Sequence, residues 1–211
     1  HAVKFQTYKA EKIASKNSPS YWDTKEEKST NQYNLFKKYD KLEISDYKIL
    51  KKYCDQINID FLSTPFDNDV VIPLNSLVPL FKVASSDITN FPLLEKIAKT
   101  KKTVLLSTGA STLKEIKLAY NFLRKKGTKN IVILHCILSY PTLDRNANLN
   151  MISDIQKNFP DTFIGYSDHT KPSKNMDSII ASYILGARVI EKHFTYNKKL
   201  KGNDHYLSLI H

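Results

Sequence analysis

FIGYSDHTKPSKNMDSIIASYILGARVIEKHFT, residues 163–195, contains a complete strand–helix–strand unit. Phe163–Ser167 and Val189–Thr195 are short apolar runs ending in small or polar residues, which is how strands buried on both faces of a parallel sheet read. Between them, Ser178–Leu185 has helical length and pattern. Side chains alternate at period two along a strand, so Gly165, Ser167 and His169 share one face of the first run. Glu191, His193 and Thr195 likewise share one face of the second.

The same unit repeats toward the N-terminus. Ala2–Tyr8, Asp60–Pro65, Phe81–Ser85, Thr103–Ser107 and Ile131–Cys136 bring the apolar runs to seven. Helical stretches fall between them, most clearly at Leu93–Ala98 and Thr112–Lys126. Ser111-Thr112 precedes an acidic first turn as an N-cap does, and Gly127 follows Arg124-Lys125-Lys126 as a stop. The strand–helix repeat predicts an α/β fold, with polar residues gathered at the C-terminal strand ends where such folds bind ligands. A (β/α)₈ TIM-type barrel is favoured over an open sheet. About seven strands make it incomplete, so residues 1–211 are read as one partial TIM-barrel catalytic domain whose first strand and helix lie upstream. Residues 9–46 read as a polar, irregular excursion over the barrel mouth, and Thr142–Asn150 as a second irregular stretch.

Composition bounds the class. With 41% hydrophobic, 25% charged and 11% aromatic residues, the chain is that of a globular domain, neither disordered nor membrane-embedded. No apolar run approaches the roughly 20 residues of a spanning helix, and the N-terminus lacks a signal-peptide layout, so a cytoplasmic location is expected. Cys54 and Cys136 show no metal or disulfide spacing and read as buried free thiols. The net charge of +11 comes from lysines scattered along the whole chain, which reads as a lysine-rich solvated surface; nothing supports nucleic-acid binding.

Two sets of residues could carry chemistry. His169 and His193 can both point inward from neighbouring strands roughly 5 Å apart, near enough to hold one divalent ion with positions left open for water and substrate. Spacing alone does not decide against the plainer reading of two hydrogen-bonded core histidines. His135 reads as structural, and the segment around His205 has no periodicity to orient it. The second set is Lys4, Thr64, Lys82, Ser85, Ser107 and Ser167, cations and hydroxyls that recur at strand ends and could hold a small polyanion. Lys82 and Ser85 are three residues apart, so Ser85 must lie beyond its strand if both serve the interior.

Seven collinear motifs then resemble one family. Ala2-Val3-Lys4-Phe5-Gln6, Ser63-Thr64-Pro65-Phe66, Lys82-Val83-Ala84-Ser85, Leu106-Ser107-Thr108-Gly109, His135-Cys136 with Tyr140-Pro141-Thr142, Gly165-Tyr166-Ser167-Asp168-His169-Thr170 and Glu191-Lys192-His193-Phe194-Thr195 resemble, in order, the strand ends of the N-acetylneuraminate (sialic acid) synthase family. The resemblance runs through Asp204. It implies a cytoplasmic transferase of carbohydrate biosynthesis that condenses phosphoenolpyruvate with an N-acylated hexosamine such as N-acetylmannosamine, releasing phosphate with C–O cleavage. It implies Mn²⁺ or Mg²⁺ on His169 and His193, and phosphoenolpyruvate on Lys4, Thr64, Lys82, Ser85, Ser107 and Ser167. Sugar contacts would fall to Gln6, Asp87, Tyr140 and Asp204.

The resemblance also implies a homodimer of the full-length protein, a catalytic glutamate on a first strand, and a C-terminal antifreeze-like domain, the last two outside residues 1–211. On that reading these residues alone have little or no turnover. Two departures stand out. Ala84-Ser85-Ser86-Asp87 replaces the family's Gly-Ser-Gly-Glu, giving a shorter carboxylate, and Leu138 replaces an asparagine, so an anion contact is lost or moved to Ser139. The alternatives are a synthase of a related nonulosonic acid (legionaminic, pseudaminic or a spore-coat sugar) and an inactive barrel serving as a binding module.

Overall fold

Alternation between two kinds of apolar environment organises the strands. A computed structural model describes residues 1–22, 24–25, 27–200, 202 and 204–210. Its strands are β1 (Ala2–Thr7), β2 (Asp60–Pro65), β3 (Leu80–Val83), β4 (Thr103–Ser107), β5 (Ile131–His135), β6 (Phe163–Asp168) and β7 (Val189–Lys192). The helices are α1 (Ala10–Ile13), α2 (Gln32–Tyr39), α3 (Ile44–Gln56), α4 (Val71–Asn75), α5 (Phe91–Lys99), α6 (Leu113–Lys125), α7 (Asn150–Asn158) and α8 (Asp177–Ile184). All pairings between these strands are parallel. β1 pairs with β2, and β3 to β7 form a second sheet in sequence order.

Register sorts the side chains. Phe81, Val83, Val104, Leu106, Ile133, Ile164 and Tyr166 face outward and pack with the buried faces of the helices in the main core. The other face carries Leu80, Lys82, Leu105, Ser107, Val132, Leu134, Gly165, Ser167, Val189 and Glu191. Leu105, Val132 and Leu134, with Leu80 and Val189, form a small separate cluster there. In a flat sheet β3 and β7 would stand about 19 Å apart, four strand spacings. Lys82 Nζ nevertheless lies 3.4 Å from Glu191 Oε1, and Lys4 Nζ of β1 lies 3.8 Å from Glu191 Oε2. The strands therefore curl around a shared interior, as in an incomplete (β/α)₈ barrel, and the inward polar residues meet at its C-terminal end.

Local chemistry sets the helix ends. Thr112 and Glu115 form a capping box at the start of α6, and Gly127, at φ 96°, takes the left-handed position after it. In α5 the Asn90 side chain accepts from Leu93 N while Leu93, Leu94, Ile97 and Ala98 are buried, each large side chain contributing about 2 kcal/mol by leaving water. Gly165 is required by close approach. A Cβ there would sit 2.4 Å from Leu134 Cδ2 and 2.5 Å from the Val189 carbonyl oxygen. Gly165→Ala is expected to cost about 1–3 kcal/mol, read as a lower urea midpoint, and an unchanged midpoint would contradict this packing.

The run Val189–Thr195 ends as a strand at Lys192, earlier than expected, so His193 and Thr195 stand just beyond it. Ser85 lies beyond its strand as expected, opening a 3₁₀ turn over Ser85–Asp87. Residues 9–46 are less irregular than expected, since α1, α2 and the start of α3 lie within them. Asn31 caps α2 through Asn34 N at 2.8 Å, and Leu35 is its single buried residue, too little apolar periodicity to betray a helix. Thr142–Asn150 holds a 3₁₀ turn at Asp144–Asn146 before α7.

The irregular part of the first excursion is tied down by Glu27. Its carboxylate accepts from Ser29 N (2.9 Å), Ser29 Oγ (2.8 Å) and Lys38 Nζ (2.8 Å), while Trp22 Nε1 donates to its carbonyl at 3.0 Å. Burial opposes this charge, but Lys38 and Ser29 hold the carboxyl at about 2. The folded value lies below the unfolded one, so the contribution is complete above about pH 4.5 and drains away as pH falls toward 2. Between pH 6 and pH 3 the wild type should lose about 2 kcal/mol from this group. Glu27→Gln should remove that part of the acid dependence in urea titrations at the two pH values.

Candidate functional site

The inward lysines share a counter-charge in Glu191. Lys82 is buried on β3, Lys4 is partly buried on β1, and Glu191 of β7 approaches both. Ser167 Oγ donates to Glu191 Oε1 at 2.7 Å. Burial works against the Glu191 charge, yet Lys82, Lys4 and the Ser167 hydroxyl bring its carboxyl down to about 2. Burial pushes the Lys4 ammonium down, against the pull of Glu191. Around this triad, Thr64 Oγ1 and Ser107 Oγ are buried without a hydrogen-bond partner. An orphaned buried hydroxyl costs about 1–3 kcal/mol, and here both belong to inward strand positions beside cations. Donors without acceptors next to ammonium groups fit an anion.

Ser85 closes the same region. A Cβ on Gly109 would come within 3.0 Å of Ser85 Oγ and 2.9 Å of Cys136 Sγ, so only glycine lets the Ser107-Thr108-Gly109 turn pass. Gly109 N donates to Cys136 Sγ at 3.1 Å, and burial raises the Cys136 thiol. Cys54 and Cys136 are both free and buried, as expected.

The histidines follow the strands that carry Ser167 and Glu191. His169 Nδ1 lies 2.7 Å from the Ile137 carbonyl oxygen, which can only accept, so Nδ1 carries the proton and Nε2 presents its lone pair. The two ring centroids are 5.6 Å apart at 80°, within reach of one ion ligated by both. Burial holds His169 below its ordinary range; burial with the neighbouring His169 and Lys4 brings His193 down to about 4. Both rings are thus neutral at pH 7, the protonation state a metal ligand needs. His193 Nδ1 is 3.6 Å from Asp204 Oδ2, and the Tyr140 ring lies 4.2 Å from the His169 centroid and 5.9 Å from that of His193. Among the described residues no group of three or more His, Cys, Asp or Glu could hold an ion, so the imidazole pair is the donor set on offer.

The expected residues therefore assemble unevenly. Lys4, Lys82 and Ser167 converge on Glu191, and Tyr140 and Asp204 on the histidines. Thr64 and Ser107 line the interior by register, and Gln6, opposite Thr64, is exposed at its mouth. Asp87 accepts from Asn90 Nδ2 at 3.0 Å in the turn into α5, and burial raises its carboxyl. Leu138 is exposed, and Ser139 Oγ donates to the Pro141 carbonyl oxygen at 3.1 Å. His135 is on the outer face, hydrogen-bonded to the Ala147 carbonyl at 2.8 Å, in line with a structural role. Glu191 was not among the expected site residues. Its inward parity with His193 was readable, and two inward lysines demand an anion, but only the curl names the partner.

A profile described as the NeuB family matches residues 1–211. An uncharacterized protein of Methanocaldococcus jannaschii is 45% identical over 210 residues, covering 98% of this chain and 57% of that protein. An N,N'-diacetyllegionaminic acid synthase of Campylobacter jejuni is 41% identical over 213 residues, covering 98% of this chain and 62% of the enzyme. The crystal structure of an N-acetylneuraminic acid (sialic acid) synthetase from Leptospira borgpetersenii, in complex with citrate, superposes with a TM-score of 0.86 at 33% identity, over 99% of this chain and 67% of that one. The chain thus spans about three-fifths of the length of these two curated relatives.

Proposed function

The chain belongs to the NeuB family of sialic acid synthase-like enzymes, and from that premise we propose that it carries most of the catalytic barrel of a nonulosonic acid synthase. The reaction joins C3 of phosphoenolpyruvate to the aldehyde carbon of an open-chain N-acylated hexosamine; water adds at C2, and phosphate leaves with its bridging oxygen. The observation that carries this reading is a pair of imidazoles with ring centroids 5.6 Å apart beside a lysine pocket that holds two unpartnered hydroxyls.

His169 and His193 would hold Mn²⁺ or Mg²⁺, which when bound supplies Lewis-acid polarisation of the sugar aldehyde. Lys4 and Lys82 bind the phosphate and carboxylate of phosphoenolpyruvate, with Thr64, Ser85, Ser107 and Ser167 donating hydroxyl hydrogens, so the enol carbon is oriented and the charge on departing phosphate is stabilised. Glu191 accepts from Ser167 and pairs with Lys4 and Lys82, so the incoming anion competes with it for those three groups. Tyr140 and Asp204, next to the histidines, and Gln6 and Asp87 at the rim face the acceptor. An N-acetylmannosamine-type sugar and the di-N-acetylated precursor of legionaminic acid are both candidates, the latter favoured by the 41% identity to the C. jejuni enzyme.

The test uses the full-length protein, Mn²⁺, phosphoenolpyruvate and a panel of mono- and di-N-acetylated hexoses. Phosphate release and product mass identify the acceptor, and an ¹⁸O label in the bridging position should appear in phosphate. Absence of phosphate release with every acceptor, or release that ignores chelation of the metal, would sink the proposal.

A further inference from the structure

Behind the two histidines lies a buried ion pair that the proposed chemistry does not use. Asp168 and Lys192 are opposite each other in the last register step of β6 and β7, and each immediately precedes a histidine. By strand alternation they face the helices while the catalytic groups face the interior. Lys192 Nζ lies 2.8 Å from Asp168 Oδ2, with side chains 6% and 1% exposed.

The carboxylate is fully occupied. Tyr166 Oη donates to Oδ1 at 3.0 Å and Thr170 N at 2.8 Å, while Ser178 Oγ, from α8, donates to Oδ2 at 3.1 Å. Lys192 Nζ also donates to the Thr170 carbonyl. Thr142 N in turn donates to the His169 carbonyl at 2.8 Å, and Thr142 bridges to Thr170. That contact ties the segment bearing Tyr140, and the Ile137 carbonyl that orients His169, to the same knot. Backbone on both sides of His169 and just before His193 is therefore fastened to one charged crosspiece. A buried ion pair adds little stability over a well-packed apolar pair, because desolvation offsets its attraction; what it fixes is geometry.

We propose that Asp168 and Lys192 are positioning residues whose ion pair, behind the sheet, sets the separation of His169 and His193 in front of it. This rests on the reading of those histidines as a metal pair. Groups one bond network behind a ligand commonly tune metal affinity by 10- to 100-fold.

The experiment is Mn²⁺ titration by electron paramagnetic resonance and by calorimetry on the full-length wild type and on Asp168→Asn combined with Lys192→Met. The double replacement removes both charges together and keeps an acceptor for Tyr166 and Thr170. Thermal unfolding should remain cooperative, Mn²⁺ affinity should fall about tenfold or more, and affinity for inorganic phosphate, held on the lysine side, should change less than about threefold. A folded variant that binds Mn²⁺ as the wild type does overturns the inference alone. Should the double variant fail to fold, Ser178→Ala removes one donor to Asp168 from α8 and should weaken Mn²⁺ several-fold; no change there also overturns it. A wild type that takes up no Mn²⁺, or a His169→Ala variant that binds it normally, overturns the metal pair itself and this inference with it.

Discussion

Replacing His169 and His193 together by alanine is expected to lower metal-dependent phosphate release by at least about 10³-fold, roughly 4 kcal/mol of transition-state stabilisation, and to abolish stoichiometric Mn²⁺ uptake. Both rings stand neutral, one with its tautomer set by the Ile137 carbonyl, and no third donor of the same kind joins them among the described residues. Each single replacement should cost nearly as much as the pair, because an ion held by two protein ligands does not survive the loss of one. Folding should suffer less. Losing the His169 ring leaves one carbonyl without its donor, a cost of about 1 kcal/mol. Steady-state phosphate release with metal analysis of the purified variants decides it, and undiminished turnover in the double variant would end the metal assignment.

Lys82→Ala is the second large effect. Lys82 is 5% exposed and lies 3.4 Å from Glu191, so its removal takes a buried cation from the proposed anion pocket and leaves Glu191 with Lys4, at 3.8 Å, and Ser167. Truncating one member of a buried charge pair costs about 2–5 kcal/mol, so the Kd for phosphoenolpyruvate should rise on the order of 100-fold. Glu191→Gln should act in the opposite sense on binding alone, tightening inorganic phosphate by removing the resident competitor. Calorimetric titration of both variants separates the two signs. Equal phosphoenolpyruvate affinity in Lys82→Ala and wild type would show that the anion binds elsewhere.

Strand positions were legible because burial on both faces leaves a compact apolar run with little else to mimic it, and the parity of Ser167, His169 and Glu191 followed from alternation. The shift of Ser85 out of its strand was legible too, since Lys82 forces it. What could not be read depends on curvature. Glu191 stands over a hundred residues from Lys82 in sequence, and nothing local distinguishes it from a solvated glutamate until β3 and β7 are bent together. The isolation of the Thr64 and Ser107 hydroxyls is a property of their surroundings, not of their residue type. α2 escaped because its only buried side chain is Leu35, and helices with one apolar anchor have no stripe to detect.

The break in hydrogen bonding between β2 and β3 has a mechanical meaning. Lys4 and Thr64 ride on the two-stranded ribbon, whereas Lys82, Ser107 and Ser167 ride on the five-stranded sheet, so the proposed anion pocket straddles a seam. Any ligand gripping both lysines acts as a rivet across that seam. By linkage, the binding energy of such a ligand would add to the resistance of the amino-terminal ribbon to peeling away.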